Sequence, residues 1–351
     1  MDLELLDHTL AANGQPAFRA RQVWEWAARG ASGYEQMTNL PRPLREWLSE
    51  AVPFSSLELR DERSASDGTV KALFATADGR PLEAVLMRYR DSRRSICLSS
   101  QSGCPLTCTF CATGQMKFAR NLTASEIVDQ ALHFRRMEES HRGDIQSRQQ
   151  TQNGAFQAPI SHCVFMGMGE PMLNLDNVLA ACERLPDVGI THRRTAISTV
   201  GWIPGIERLT QCEMPLRLAL SLHAADEALR SELMPVNERY PLADVIEACR
   251  AFYERKRRRI FVEYVMLAGV NDRYEQALAL ARVLEPHGTA HMFKVNLIPY
   301  NPTESVYEGS SRESIAAFRE ALEARGVPVT VRLTRGRDID AACGQLAARA
   351  V

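Results

Sequence analysis

The sequence predicts an α/β fold, with parallel strands alternating with crossover helices in a full or partial (βα) barrel. A small helical region and a short β extension precede it. Three observations predict this fold. From residue 161 onward, short β-patterned apolar runs alternate with helix-length amphipathic runs, the order that parallel strands with crossover helices produce. The run SICLSS at 95–100 is a further strand that ends at a cysteine-rich loop, and functional loops in such barrels follow the C-terminal ends of strands. The length, 351 residues, suits such a barrel with an appended module.

Residues 1 to about 60 read as helical, with Trp24, Trp26 and Trp47 at helix-like spacing among arginines. A small aromatic core explains them most simply; a basic docking surface for RNA is the sharper alternative. At Val70 the period changes, and VKALFATADGRPLEAVLMRYR reads as two strands joined by the turn Asp78-Gly79. A helix then begins after Asn121, where Thr123 and Glu126 form a capping-box pattern and Ile127, Val128 and Leu132 supply the apolar stripe. The polar, Gln-rich stretch 139–158 reads as an exposed loop and an insertion. Beyond it, strands are expected at 161–166, 194–199, 216–222, 259–266, 292–297 and 328–333. Helices are expected at about 174–185, 226–233, 241–257, 272–285 and 311–325.

Composition narrows the class. Hydrophobic residues make up 45% and charged residues 24% of the chain, as in ordinary globular proteins. No apolar run reaches the ~18 residues of a membrane span, and the acidic start MDLELLDHTLAANG is not a secretory signal. A cytoplasmic protein is expected, with no membrane partner. The net charge of −1 does not advertise a nucleic-acid binder, although local patches still can. The densest patch is RKRRR, from Arg255 to Arg259. A solvated helix end, favoured by the helix dipole, explains it as well as an anionic partner does.

Nine cysteines in a reducing compartment point to metal, catalysis or burial rather than structural disulfides. Cys163, Cys182, Cys212 and Cys249 sit in apolar or helical patterns and read as small buried hydrophobes. Cys104, Cys108 and Cys111 are different: QSGCPLTCTFCATG spaces them Cys-x3-Cys-x2-Cys. A cubane iron–sulfur cluster usually takes four thiolates. Three on one loop hold three irons and leave the fourth open to a small ligand. A structural zinc site would want a fourth protein ligand, and the nearest downstream histidine is His133. A second motif, Gly167-Met168-Gly169-Glu170-Pro171, follows the strand at 161–166. Its glycines permit close backbone approach, and Glu170 can accept hydrogen bonds from an ammonium. Polar groups recur at later strand ends: Ser198, Ser221, His223 and Asn301. Cys97 and Cys343 lack cluster spacing. Arg335 and Arg337 are candidates to stabilise a Cys343 thiolate, with Gly336 and Gly344 giving the segment freedom.

The loop Cys-x3-Cys-x-Phe-Cys resembles the signature of the radical SAM superfamily, and GEP resembles the motif there that grips the methionine amine of S-adenosylmethionine. The whole set resembles one family more closely, the radical SAM RNA adenine methyltransferases of the RlmN and Cfr type. CLSSQSGC, CTFCATGQMKFARNL, MGMGEPMLN, ISTVGW, LALSLHAAD, VEYVMLAGVND, NLIPYNP and TRGRDIDAACGQL carry it in order along nearly the whole chain. The resemblance implies a partial (βα)6 barrel at 93–334, an RNA-contacting helical domain at 1–60, a β extension at 61–92 and a tail at 335–351. It assigns Cys104, Cys108 and Cys111 to a [4Fe-4S] cluster. Gly169, Glu170, Ser198, Ser221, Leu222, His223 and Asn301 are assigned to S-adenosylmethionine. Cys343 becomes the methylated carrier, Cys97 the thiol that resolves the covalent intermediate, and Glu83 the proton acceptor.

The implied reaction consumes two S-adenosylmethionine molecules per turnover. It methylates C2 of an adenine in the peptidyl transferase centre of 23S rRNA and of an adenine in the tRNA anticodon loop. The implied partners are those RNAs, an electron donor such as flavodoxin or ferredoxin, and a thiol reductant; the implied state is a monomer. Three alternatives stay open at this point: a Cfr-like C8 methyltransferase, a radical SAM enzyme of another class, and an iron–sulfur or zinc protein that senses RNA.

Overall fold

The computed structural model of the protein describes residues 1–148 and 160–348. Three helices open the chain: α1 (Leu3–Ala12), α2 (Phe18–Arg29) and α3 (Arg42–Ala51). Asp2 caps α1 by accepting from the backbone N–H of Leu5 at 3.0 Å. Gly30 ends α2 in the left-handed conformation, at φ 103°. The tryptophans belong to packing: Trp24 is buried, and its indole N–H donates to Asp187 of the barrel at 2.7 Å. Trp26 and Trp47 are half-buried against the same core.

A strand, β1 (Leu57–Ser64), begins within the last residues of the stretch expected to be helical and runs into the expected β extension, ahead of the first strand expected at Val70. Its sequence, LELRDERS, is mostly exposed along one edge of the sheet, so no apolar alternation announces it. It pairs antiparallel with β2 (Val70–Thr76), which turns through Asp78-Gly79 into β3 (Pro81–Arg88) as expected. β3 in turn pairs antiparallel with β4 (Arg94–Cys97). The cysteine loop follows, clasped between the two-residue strands β5 (Gln101–Ser102) and β6 (Arg120–Asn121). α4 (Ala124–Arg148) then begins on the expected capping box. The backbone of Thr123 donates to Glu126 at 2.9 Å, and the backbone of Glu126 donates to Thr123 Oγ1 at 3.2 Å. This helix runs on through 139–148, which the sequence reading placed in a loop. The segment has no proline to stop it. The remainder of that expected loop, 149–158, lies outside the described residues.

From here the alternation holds: β7 (Ile160–Phe165), α5 (Leu175–Arg184), β8 (Thr195–Thr199), α6 (Ile203–Gln211) and β9 (Arg217–Ser221). The chain continues through α7 (Glu227–Leu233), α8 (Leu242–Lys256), β10 (Ile260–Met266), α9 (Tyr274–Leu284), β11 (Phe293–Pro299), α10 (Arg312–Glu323) and β12 (Val329–Val331). α6 was not expected. It is short and carries Pro204 and Gly205 in its first turn, where proline is tolerated. A Cβ at Gly205 would lie 2.5 Å from Met172, so close packing fixes that glycine.

The sheet order is β1-β2-β3-β4-β7-β8-β9-β10-β11-β12. From β4 to β12 every neighbouring pair is parallel. β1 and β12 do not pair, so the barrel is open, the partial barrel expected. The three-residue β12 extends the parallel array beyond six strands. One apolar core runs from Leu6 of α1 to Leu346 of the tail. Because the strands are parallel, all their C-terminal ends meet at one mouth.

Candidate active site

The loops at the C-terminal ends of the parallel strands and the C-terminal tail build the mouth. The cysteine loop turns back through left-handed Gly103, whose absent Cβ leaves room for the Lys117 carbonyl. Cys111 N–H donates to the Cys108 carbonyl at 3.2 Å, which closes the turn between these two cysteines. Burial pushes all three thiols up, Cys104 to about 12. Glu170 and Cys111 push Cys104 the same way, and the other two thiols and Glu170 push Cys108. Three thiols whose anions repel one another in a dry loop suit a cationic body, and iron binding would displace their protons. Among the described residues no three His, Cys, Asp or Glu side chains converge on a single metal-ion position. A cubane does not require that, because each thiolate binds its own iron.

The loop after β7 delivers Glu170. Gly169 is left-handed at φ 96°, its missing Cβ makes room for the Gln101 side chain, and it lines the cavity at the mouth. Gln101 Oε1 accepts from the Glu170 backbone at 2.8 Å. Glu170 accepts from the backbones of Met172 and Val200, each at 3.1 Å. Burial still raises its carboxyl to about 7, against those hydrogen bonds. A buried carboxylate held this way gains from a cation placed against it.

Ser198 and Ser221 end adjacent strands, with their hydroxyls 3.3 Å apart. His223 is left-handed at φ 59°. Its Nδ1 accepts from the Val265 backbone at 3.0 Å, and its ring lies edge-on to Phe110 at 4.8 Å. Burial, then Arg230, lowers its pKa to about 3, so it stays neutral.

A cavity of about 150 Å³ unites these residues. Cys111, Gly169, Glu170, Ser198, Ser221, His223 and Cys343 all line it. Leu222 lies buried behind the wall. Asn301 reaches the tail instead: its Nδ2 donates to the Cys343 carbonyl at 3.1 Å, and its buried Oδ1 has no partner. Cys343 lines this cavity and keeps exposed surface. Protein surrounds its thiol, and burial raises its pKa against the pull of Arg332. Cys97, buried at the end of β4, is pushed up to about 12 by burial and then by Cys343. Both thiols are free.

Two site residues were missed by sequence reasoning. Glu263, buried on β10, lines the same cavity. Its Oε1 accepts from Asn296 at 2.9 Å and from Arg332 at 2.8 Å, while its buried Oε2 has no partner. A lone acid inside the apolar run RIFVEYVML was the available signal. Arg332, just beyond β12, is the cation that acts on Cys343 and Cys97. Arg335 does not fill that role, because it lies 4.5 Å from the centre of the Tyr89 ring and 3.7 Å from Asp67.

Glu83 faces a second, polar cavity of about 470 Å³, lined also by Asp61, Arg63, Lys71 and Asp340. That size is in the range of small-ligand sites. Its Oε1 lies 3.0 Å from Lys71 Nζ, and its Oε2 accepts from the backbones of Ala347 and Ala348. The tail separates the two cavities: Cys343 and Gly344 line the first, Gln345 and Ala347 the second. Ala112 N–H donates to the Gly344 carbonyl at 2.8 Å and Thr113 Oγ1 to the Leu346 carbonyl at 2.5 Å, pinning the tail to the cysteine loop.

Comparison with known proteins agrees with this architecture. Residues 148–281 match the radical SAM superfamily, and residues 1–53 match the N-terminal domain of the ribosomal RNA large subunit methyltransferase. The chain is 45% identical to a "probable dual-specificity RNA methyltransferase RlmN" of Chloroflexus aurantiacus, covering 99% of this chain and 92% of that one. It is 43% identical to the "dual-specificity RNA methyltransferase RlmN" of an Anaeromyxobacter species, covering 99% and 89%. The crystal structure of a radical SAM methyltransferase from Sphaerobacter thermophilus superposes with a TM-score of 0.88 at 41% identity, covering 99% of this chain and 98% of that one. The chain belongs to the RlmN family of radical SAM RNA methyltransferases, a family that works with an iron–sulfur cluster and S-adenosylmethionine.

Proposed function

We propose that this protein methylates C2 of an adenine in 23S rRNA and of an adenine in tRNA, through a methylated Cys343. One observation carries the reading. Cys343, far from the cysteine loop in sequence, lines the same cavity as Cys111 and Glu170 and acts electrostatically on Cys97.

In this reading Cys104, Cys108 and Cys111 hold the [4Fe-4S] cluster. Glu170, Ser198, Ser221, His223 and Asn301, with the backbones of Gly169 and Leu222, hold S-adenosylmethionine. Together these groups, when bound, supply one-electron chemistry that generates a 5′-deoxyadenosyl radical. The protein's own residues direct it. An aromatic C–H carbon is not a nucleophile, so the Cys343 thiolate takes the methyl group first, by displacement. Arg332, held by Glu263, favours that thiolate over the thiol. Asn301 anchors the Cys343 backbone, which sets the sulfur against the cavity. The target base must be unstacked to enter, and the polar cavity beside Glu83 has room for it. Loss of one hydrogen atom from the S-methyl group, to the deoxyadenosyl radical, would let that carbon bond to the ring; Glu83 takes the proton released when the ring regains aromaticity, and the electron released with it would return to the cluster. The Cys97 thiolate then attacks the Cys343 sulfur. This breaks the sulfur–carbon bond to RNA: the displaced carbon keeps the electron pair and takes a proton to become the product methyl group, and the two sulfurs are left as a disulfide, which a thiol reductant opens. The enzyme acts as a monomer, uses two S-adenosylmethionine molecules per turnover and draws electrons from a flavodoxin or ferredoxin. Residues 1–60 form the accessory RNA-contacting part.

Mass spectrometry of digested rRNA and tRNA from cells with and without the gene tests this directly. We expect 2-methyladenine to vanish from both RNAs when the gene is absent. Loss of 8-methyladenine instead would make the protein a C8 enzyme. No change in either base would overturn the reading.

A further inference from the structure

The end of the barrel opposite the mouth collects arginines. Parallel strands place every strand start on one face, and five residues at about 3.3 Å each put roughly 17 Å of strand between that face and the mouth. Arg93 precedes β4, Arg193 and Arg194 precede β8, Arg217 starts β9, and Arg258 and Arg259 precede β10. The register brings them together: Arg217 stands beside Ala196 of β8, and Ala219 beside Phe261 of β10, so Arg217 and Arg259 are level. Arg258 donates to the Arg193 carbonyl at 2.8 Å, and the Arg217 guanidinium lies over the Phe261 ring at 4.6 Å. Arg255, Lys256 and Arg257 close α8 at the same end.

Few of these charges have an acidic partner among the described residues. Asp91 sits 3.9 Å from Arg93 and Glu213 3.8 Å from Arg255, both loose and exposed. Among the described residues no carboxylate lies within ion-pair distance of Arg193, Arg194, Arg217, Arg257, Arg258 or Arg259. His162, in their midst, has its pKa lowered by burial and then by Arg93, Arg194 and Arg217. Arg257 takes the left-handed helix cap, φ 53°, a position where glycine costs less. The whole chain carries a net charge of only −1, so the concentration belongs to this face. Guanidinium groups suit phosphate oxygens in geometry as well as charge.

We propose that this strand-start face is a second RNA-docking surface, which grips phosphates of the folded substrate away from the target adenine. It rests on the RNA methyltransferase reading above. An acidic electron-transfer protein would match the charge too, but docked here it would face the end of the barrel remote from the cysteine loop. A folded RNA wrapping the flank of the barrel reaches both ends.

The test uses the purified holoenzyme and its Arg193→Gln/Arg194→Gln/Arg259→Gln variant, with transcribed full-length tRNA and a short stem–loop carrying only the target adenine. Dissociation constants are measured across a potassium chloride series. We expect the variant to bind full-length tRNA about tenfold more weakly, with the salt slope reduced by about two to three. Its stem–loop affinity and its dithionite-driven cleavage of S-adenosylmethionine without RNA should match wild type. Arg257→Gly, which relieves the left-handed cap, guards against a folding failure and should lower the slope by about one. Unchanged affinity and slope in both variants would overturn the proposal. So would a fall in flavodoxin-driven turnover with RNA binding intact, which would assign the face to the electron donor. Failure of wild type to bind or methylate any RNA would remove the methyltransferase reading, and this one with it.

Discussion

Cys343 and Cys97 differ in what surrounds them, and that difference predicts different mutants. Cys343 lines the cavity beside Arg332, whereas Cys97 is buried behind it. Cys343→Ala should abolish RNA methylation and leave the visible iron–sulfur absorbance intact; methylation by that variant at wild-type rate would sink the carrier role. Cys97→Ala should trap a protein–RNA adduct that survives denaturing gel electrophoresis, and its absence alongside full methylation would refute the resolving role. Glu170 carries a pH signature. Its carboxyl titrates near 7 in the fold against an ordinary 4.5, so the folded state holds more protons across that window. The stability of the metal-free protein should therefore fall as pH rises from 4.5 to about 7, by about 3 kcal/mol. Urea denaturation at pH 5, 6 and 7.5 reads this directly. Glu170→Gln should flatten the fall, and an identical slope in that variant would refute the assignment.

At the scale of elements, the tail behaves as a wall. Its backbone occupies Glu83 Oε2 through Ala347 and Ala348, and its carbonyls are held by Ala112 and Thr113. For Glu83 to take a proton from a base, these amides have to leave it. Hydrogen–deuterium exchange of the peptide spanning 340–348 should therefore be slow in the free enzyme and faster with RNA bound. Equal exchange in both states would mean that Glu83 is not freed. The elements that escaped sequence reading did so for identifiable reasons. β1 is an exposed edge with no apolar face to show, and α6 begins with the residues that usually mark a turn. The parallel strands announced themselves because both their faces are buried, which makes near-continuous apolar runs. Cys104, Cys108, Cys111, Gly169 and Glu170 were legible because their loops are contiguous. Glu263 and Arg332 were not, since 69 positions separate the partners of that ion pair.

Across the whole molecule, the N-terminal helices share one apolar core with the barrel. Trp24 is buried at their junction and donates to Asp187. Trp24→Ala should cost about 3 kcal/mol or more and should lower a single unfolding transition for the entire chain, measured by calorimetry. A separate transition for the helical part would contradict a shared core. The same view separates two ends of the barrel: chemistry-bearing side chains at the mouth, and, among the described residues, arginines with few acidic partners at the strand starts.

By itself the sequence determined the strand–helix alternation, the cysteine loop and the resemblance to one family, because these depend on periodicity and on residues adjacent in the chain. The tertiary structure decided which distant groups act on one another. It set Cys343 in the cavity with Cys111, chose Arg332 over Arg335 as its cation, gave Glu83 to the far side of the tail, and gathered six strand-start arginines from separate segments into one face. Those outcomes follow from parallel strand register and from the path of the tail, and neither is written in any local stretch of residues.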